Sequence, residues 1–177
     1  MERISKIDLN KAAGEVKKAA EEHVRNGYRI TNEKLTLLHN VTAFHVLEEE
    51  SYVLDGELQK LIGKRAADFY EYAISVQNDC IVCSTYFSRL LKKNHIEFET
   101  FAFTEKESLL IAYGRAIAKD PKNVGDELFG KMRQAFSEEE MVVITAMGVM
   151  MIANNYFNDI LQVAPEEQDT AEETGTL

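Results

Sequence analysis

Apolar residues recur at intervals of three and four along nearly the whole chain. Near the start, one such stripe comprises Leu9, Ala12, Ala13, Val16, Ala19, Ala20 and Val24. This spacing places apolar side chains on one face of a helix. The only alternating segment, IEFETFAF at positions 96–103, would be a single strand without a partner. The pattern therefore predicts an all-α protein of seven or eight helices in one domain.

Local signals predict where these helices begin and end. Asn26-Gly27 ends the first helix. A second begins near Asn32 and carries Leu35, Leu38, Thr42 and Val46, and Gly63 closes a shorter helical piece, YVLDGELQKLIG. A long helix is expected from about Arg65 to Gln77. Later helices begin with the capping-box patterns Thr104-x-x-Glu107 and Ser137-x-x-Glu140.

Asn78-Asp79 interrupts the pattern after the long helix. Asp79 has a side chain suited to an N-cap, so the next helix is predicted to run from Cys80 to about Lys93. Its core-facing stripe comprises Cys80, Cys83, Phe87, Leu90 and Leu91.

The net charge of -10 over 177 residues disfavours a surface for nucleic acid or anionic membranes, because both require basic patches. The N-terminal segment MERISKIDLN lacks the apolar stretch of a signal peptide. The longest apolar run, Met141 to Ala153, is shorter than the roughly 20 residues that span a bilayer. A cytoplasmic protein with no nucleic-acid or membrane partner is predicted.

The last fourteen residues differ in composition from the rest of the chain. The segment 164–177 has five acidic residues, no basic residue and no large apolar residue before Leu177. We expect a helical domain over 1–163 and a disordered acidic tail over 164–177.

Cys80 and Cys83 are the only cysteines and form a C-x-x-C pair. Residues three apart on a helix share a face, so the two sulfurs can meet, and the start of a helix favours a thiolate. Burial in the apolar stripe and the adjacent Asp79 act in the opposite direction. A redox dithiol and two structural cysteines both fit this pattern.

A metal site has less support in the sequence. The four histidines, His23, His39, His45 and His95, form no pair with ligand spacing. The chain also has no Gly-rich phosphate loop and no haem, flavin or nucleotide motif. No cofactor and no metal are therefore expected.

Several segments resemble the alkylhydroperoxidase AhpD-like, or carboxymuconolactone decarboxylase, family. They are TLLHNVTAF, NDCIVC, FTEKESLLIAYGRAIAKDP and FSEEEMVVITAMGVMMIANNYFNDIL. The resemblance covers roughly 35–163 and implies an AhpD-like helical bundle. In the redox branch of that family, a Glu precedes the C-x-x-C by twelve positions and a His follows it by four.

The resemblance implies that Cys83 is the attacking thiolate and Cys80 the resolving cysteine. Helix-terminus reasoning alone would favour Cys80 as the thiolate. Asp68 stands at the position of the family's Glu, and Phe87 stands where the family has its relay His. A phenyl ring cannot take a proton, so the relay would need Tyr86 or a histidine from the early helix, His39 or His45.

The resulting prediction is a thiol–disulfide oxidoreductase or hydroperoxide reductase that acts on a small peroxide or disulfide and is restored by a thiol reductant. The resemblance also implies a homo-oligomer: a dimer, trimer or hexamer. The alternative is a non-catalytic oligomeric binding or scaffold member of the family. A lactone decarboxylase is disfavoured, because no cluster of His or Arg would bind an acidic lactone.

Overall fold

Eight helices and no strand are present in this computed structural model, which describes residues 2–167. The helices are α1 (Gly14–Arg25), α2 (Asn32–Leu37), α3 (Val41–Phe44, a π-helical turn His45–Glu49, then Glu50–Ile62), α4 (Lys64–Gln77), α5 (Ile81–Lys93), α6 (Glu105–Lys119), α7 (Asp126–Ala135) and α8 (Glu138–Leu161). The predicted all-α class, single domain and helix number are confirmed.

Helix α4 lies at the centre of the bundle, where it packs against α3, α5, α6 and α8. Its Tyr70 is fully buried, and the phenol hydroxyl donates to the carbonyl oxygen of Ile144 on α8 at 2.8 Å. Two glycines leave room for this ring, Gly114 on α6 and Gly148 on α8. The close approach of α4, α6 and α8 at Tyr70 therefore depends on the absence of a Cβ atom at Gly114 and Gly148.

We expect Gly148→Ala to destabilise the protein by about 2 kcal/mol or more, because the core is already filled at this point. A Cβ at Gly148 would overlap the Tyr70 hydroxyl and lie 2.5 Å from Ile117 Cδ1. Gly130→Ala on α7 is the matched control, since its Cβ would meet nothing within 4 Å. That change should stabilise by about 0.5–1 kcal/mol. Urea denaturation of both variants tests the pair, and equal effects would contradict the packing argument.

The alternating segment at 96–103 forms a 3₁₀ turn, Phe98–Thr100, rather than a strand. Its aromatic rings pack on Phe69 of α4, with ring centroids 5.7, 5.2 and 5.0 Å away for Phe98, Phe101 and Phe103. The alternation thus reflects an aromatic cluster that covers one side of α4.

Helix boundaries differ from the predictions at three places, one of which is that the short piece YVLDGELQKLIG is the end of the continuous helix α3 and not a separate helix. Helix α1 begins at Gly14 instead of near Leu9, because Asp8 holds the preceding residues in a turn by accepting from the Asn10 N–H at 3.0 Å. The predicted second helix is divided before Val41, where the Asn40 side chain accepts from the Ala43 N–H and starts α3. Both capping boxes, at Thr104 and Ser137, are confirmed.

Helix α8 is longer than the apolar run that predicted it, because Glu138 to Glu140 and Asn154 to Leu161 extend it to 24 residues. This helix is long and apolar enough to cross a membrane, but the core helix of a soluble protein meets the same criteria of length and composition. Its inner face is buried against α3 and α4. The predicted cytoplasmic location stays a prediction.

The first residues after Val163 contact the domain. The Glu166 carboxylate accepts from the Asn32 N–H at 2.6 Å, and the Asn32 side-chain amide donates to the carbonyl oxygens of Ala164 and Pro165. Glu166 thereby binds the first N–H of α2, whose N-cap, Thr31, makes no side-chain cap. The remainder of the predicted acidic tail, 168–177, lies outside the described residues.

Candidate functional site

The turn between α4 and α5 places the two cysteines. The Cys80 N–H donates to the Ser75 carbonyl and the Asp79 N–H to the Val76 carbonyl, both at 3.1 Å, which is the hydrogen-bond pattern of a Schellman motif. Asp79 has φ 56°, the left-handed conformation that this motif requires after a helix. The prediction that Asp79 is an N-cap is therefore wrong. Asp79 ends α4, and Cys80 is the N-cap residue of α5.

Asp79→Gly should stabilise the protein by about 0.5–1 kcal/mol, because glycine adopts a positive φ without steric strain. Asp79→Ala keeps the strain and is expected to give no such gain. Urea denaturation of the two variants separates backbone strain from the loss of a carboxylate. If both substitutions stabilise equally, charge rather than conformation is the cause.

The two thiols lie in contact, with Cys83 donating a hydrogen bond to Cys80. Both are buried and reduced: Cys80 is fully buried, whereas Cys83 is 8% exposed and lines a cavity. The Cys80 thiol in turn donates a hydrogen bond to the carboxylate of Asp159 on α8. Burial raises the pKa of Asp159, and this hydrogen bond opposes the rise. Cys83 is therefore the sulfur that a molecule in the cavity would meet first, with Cys80 behind it.

Polar side chains from α8 and α2 surround Cys83. The Asn158 side-chain amide donates to Cys83 Sγ at 3.4 Å and to Glu33 Oε1 at 3.0 Å. The hydrogen bond to Cys80, burial and the nearby Glu33 raise the pKa of the Cys83 thiol well above its usual range, while the amide of Asn155 opposes the rise. The Asn158 amide is thus hydrogen-bonded to Cys83, while the Asn155 amide, which donates to Ser75 Oγ at 3.4 Å, is close enough to influence the pKa of the thiol.

Glu33 has a strongly altered acidity. Burial and the carboxylate of Glu48 raise its pKa to about 8, against the opposing effects of Lys34 and Asn158. A carboxyl group with this pKa exchanges protons near neutral pH, as a general acid–base catalyst must.

A buried ion pair lies beside Glu33. Lys34 Nζ is 2.9 Å from Glu48 Oε2, and both side chains are more than nine-tenths buried. Burial lowers the pKa of Lys34, but Glu48, Tyr52 and Glu33 together more than offset this, so the pKa is raised and the amine stays charged. Glu48 belongs to the π-helical turn of α3, an irregularity often found at functional sites. The pair keeps one charge of each sign at the cavity wall.

The cavity has a volume of about 690 Å³ and lies between α2, α3, α4, α5 and α8. This volume is within the range of sites for small organic molecules. Asp68 and Tyr86, both predicted site residues, line it together with Cys83. Neither is hydrogen-bonded to Cys83 within the described chain. Asp68 instead binds Lys64 Nζ at 2.8 Å.

Burial raises the pKa of Asp68, which the ammonium of Lys64 opposes, and burial also raises the pKa of Tyr86. Phe87, the residue at the position of the family's relay histidine, is buried in the main core cluster and also borders the cavity. The cavity therefore holds a carboxyl and a phenol of the predicted site, but neither is hydrogen-bonded to the thiols within the described chain.

The two candidate histidines are elsewhere in the chain. His39 is exposed and its Nε2 lies 2.6 Å from the carbonyl oxygen of Ser5. His45 is exposed at the start of the π-helical turn. Neither lines the cavity that contains Cys83. Within one chain, the imidazoles are not brought to the dithiol.

Glu33, Glu48 and Asn158 were not identified from the sequence. A signal existed for Asn158, because Asn154, Asn155 and Asn158 interrupt the apolar pattern of α8 at positions that face the core. Amides at such positions need hydrogen-bond partners, which a polar site provides. Glu33 and Glu48 resemble surface acids in the sequence, so no local pattern distinguishes them.

Within residues 2–167, no group of three or more His, Cys, Asp or Glu side chains is arranged to hold a metal ion. The chemistry available at the site is that of two thiols, a carboxyl with a pKa near neutrality and amide donors. Comparison of the sequence with models of protein families and with curated proteins finds no match to either.

Proposed function

We propose that the protein is a thiol–disulfide oxidoreductase that uses Cys83 as nucleophile and Cys80 as resolving thiol. The observation that carries this proposal is the placement of the two cysteines. Cys83 borders the cavity, whereas Cys80 is fully buried and contacts Cys83. The resemblance to the AhpD-like family supports the same order of roles.

In the first step, the Cys83 thiolate attacks one sulfur of a small disulfide in the cavity. A mixed disulfide forms on Cys83, and the other half of the substrate leaves as a thiolate that takes a proton. The Cys80 thiolate then attacks Cys83 Sγ, which releases the second half as a thiol and closes the Cys80–Cys83 disulfide. An external dithiol reopens that disulfide by two exchanges and is itself oxidised.

A hydroperoxide is the second substrate class. The Cys83 thiolate attacks the terminal peroxide oxygen, which yields a sulfenic acid and an alkoxide that is protonated to the alcohol. Condensation with the Cys80 thiol forms the disulfide and releases water. This reaction starts from the Cys83 thiolate, as disulfide exchange does, so the raised pKa of the Cys83 thiol slows both. Phe87 cannot supply the proton that the alkoxide takes, which disfavours a hydroperoxide relative to a disulfide.

We assign Glu33, in the ionised form that it adopts as the pH rises through about 8, the role of the base that takes the Cys83 proton, directly or through one water molecule. Its carboxyl and the Cys83 sulfur accept hydrogen bonds from the same Asn158 amide, so the two groups are neighbours. After proton transfer, the amides of Asn158 and Asn155 would stabilise the thiolate. Glu33 would thus accept the proton that the histidine accepts in the AhpD-like family, but from α2 instead of from α5.

A redox titration of the native protein tests the proposal. Samples equilibrated in dithiothreitol or glutathione buffers are alkylated, and mass spectrometry reports the state of Cys80 and Cys83. A single two-electron transition between roughly -180 and -300 mV is expected for a working dithiol. If no internal disulfide forms over that range, the thiols are structural.

The alternative, a non-catalytic binding or scaffold protein, is favoured by one observation. Phe87 is 6% exposed and packs in the main core cluster, where it supports the fold. In that case a variant with both cysteines changed to serine would keep every function of the protein.

We further propose that the protein is a homo-oligomer that pairs through the outer face of α8. Six apolar residues on this face are exposed and follow one another at intervals of four, three, four, three and four: Val142, Ala146, Val149, Ala153, Tyr156 and Ile160. This is the spacing of a coiled-coil seam. In an antiparallel pair, Ala146 would lie opposite Tyr156 and Val149 opposite Ala153, so small residues face large ones.

Ala153→Glu is expected to convert the oligomer to monomer, because it places two carboxylates close to the centre of an apolar seam. Gln134→Glu adds the same charge at an exposed position of α7 and should leave the oligomer intact. Sedimentation velocity at micromolar concentration distinguishes the two. A wild-type monomer, or dissociation by both variants alike, would contradict pairing through α8.

A further inference from the structure

A group of carboxyls, none of which is hydrogen-bonded to the thiols within the described chain, lines the same cavity as Cys83. Asp55 of α3 and Asp68 and Glu71 of α4 all line the cavity. Glu71 is 5% exposed, and its Oε1 has no hydrogen-bond partner among residues 2–167. A buried acceptor without a partner is destabilising unless a ligand or water satisfies it. This group is not used in the dithiol chemistry.

The charges around Glu71 are acidic. Asp55 is within hydrogen-bonding reach of Glu71, and burial, Asp55 and Asp68 together raise the pKa of Glu71 well above its usual range. The cations nearby are already engaged, since Lys64 binds Asp68 and Lys34 binds Glu48. Arg29 and Arg89 also line the cavity, and neither is free. The atom that lacks a hydrogen-bond partner in this group is a carboxyl oxygen, Glu71 Oε1.

A second acceptor in the same cavity also lacks a partner. Asn154 is 8% exposed and lines the cavity, and its Oδ1 accepts no hydrogen bond within the described chain, while its amide donates to the Leu47 carbonyl. Two buried acceptors, on α4 and α8, therefore call for a ligand that donates hydrogen bonds. An ammonium group has three donors and no acceptor.

Aromatic rings line the same cavity. Tyr28 and Tyr52 stack with their ring centroids 3.9 Å apart, and both line the cavity with Tyr86. Phenol rings attract cations through their π faces. Carboxylates combined with tyrosine rings are suited to a positively charged organic group.

We propose that the Asp55–Asp68–Glu71 region of the cavity binds the primary ammonium group of an organic ligand, with the uncharged remainder of the ligand directed along the cavity. If the proposed dithiol function is correct, this names the substrate class as a small disulfide that carries an amine. The ammonium supplies the donors that Glu71 lacks and neutralises the excess acid.

The direct test is binding of three isosteric probes, butylammonium, butanol and butyrate, measured by titration calorimetry on the native full chain. Butylammonium should bind, butanol at least tenfold more weakly, and butyrate more weakly still. Glu71→Gln should weaken butylammonium binding at least tenfold. The matched control is Glu57→Gln, an exposed acid on α3 that pairs with Lys60 outside the cavity, and it should bind as the wild type does.

Asp55→Asn serves as a second variant if Glu71→Gln does not fold. Butyrate or butanol binding as tightly as butylammonium, no binding of butylammonium, or wild-type binding by both cavity variants would each overturn the inference. None of these probes has a disulfide or peroxide bond, so the result is independent of thiol chemistry. A protein that binds butylammonium but forms no internal disulfide would keep this inference and lose the proposed function.

The substrate class has its own readout. Oxidation of the reduced protein by cystamine, which carries two ammonium groups, is compared with oxidation by bis(2-hydroxyethyl) disulfide, its neutral analogue. Cystamine should react at least tenfold faster in the wild type, and Glu71→Gln should reduce that ratio at least fivefold. Equal rates for the two disulfides in the wild type would exclude the amine-bearing substrate class.

Discussion

Cys83→Ser is expected to abolish reaction with small disulfides, whereas Cys80→Ser should react once and stop. Without Cys83 no thiol borders the cavity within the described chain. Without Cys80 the mixed disulfide on Cys83 has no neighbouring thiol to resolve it. Loss of a nucleophile reduces turnover by several orders of magnitude, on the order of 10⁴-fold or more. This is the largest effect that we expect from a single substitution.

Intact-protein mass spectrometry after incubation with bis(2-hydroxyethyl) disulfide separates the two variants. The wild type should lose two hydrogens as its internal disulfide closes, Cys80→Ser should gain one hydroxyethylthiol, and Cys83→Ser should stay unmodified. Ser84→Ala on the same helix is the control, since its hydroxyl contacts only the Ile81 carbonyl, at 3.5 Å. An adduct on Cys83→Ser instead of Cys80→Ser would reverse the roles of the two cysteines, in the order that helix-terminus reasoning favours.

Glu33→Gln is expected to remove a strong dependence of stability on pH. In the unfolded chain Glu33 loses its proton near pH 4.5, but in the folded protein its pKa is about 8. Between these values the folded state holds a proton that the unfolded state has lost. The stability that Glu33 contributes is therefore complete below about pH 4.5 and is lost as the pH rises through 8.

Between pH 4.5 and 8, the ionisation of Glu33 should lower the free energy of unfolding by an amount on the order of 3 kcal/mol. This is less than the full pKa shift of Glu33 implies, because its carboxyl borders a water-accessible cavity. Glu33→Gln keeps the shape and can still bind Asn158, so its stability should vary much less over the same range. Urea denaturation at pH 5, 6.5 and 8 measures the difference, with the exposed Glu57→Gln as control. A wild-type curve that is flat between pH 5 and 8 would show that Glu33 ionises normally.

The same substitution tests the proposed role of Glu33 as a base. If Glu33 takes the Cys83 proton, Glu33→Gln should slow disulfide exchange and move the rising part of the pH–rate profile towards the pKa of the unassisted thiol. A purely structural role would lower stability without moving that profile. Stability and rate are therefore measured on the same samples.

Most of the fold could be predicted from local patterns. The capping boxes at Thr104 and Ser137, and the ends of helices at Gly27 and Gly63, depend on residues within one turn of each other. The helix boundaries differ from the predictions where a polar side chain accepts a hydrogen bond from the backbone two or three residues later, as Asp8 and Asn40 do, because apolar spacing does not reveal such a bond. The prediction for Asp79 is wrong because aspartate occurs both at helix N-caps and directly after helix C-termini. Only the backbone φ angle, which is 56° at Asp79, distinguishes the two positions.

Less of the site could be predicted. The cysteine pair and its burial follow from the spacing of α5, and Asp68 and Tyr86 do line the same cavity as Cys83. Glu33 and Glu48 lie 50 and 35 positions before Cys83, and Asn158 lies 75 positions after it. No periodicity within the sequence relates residues at such separations.

The sequence by itself determined the all-helical class, the number of helices, the C-x-x-C pair and the helix face on which the thiols lie. These features depend on backbone hydrogen bonds and on apolar spacing within single helices, which are local. Only the tertiary structure decided which sulfur borders the cavity, which carboxyl stands beside it and which acids are left without partners. Those properties depend on burial and on the distance between charges from different helices, and both exist only once the helices have packed.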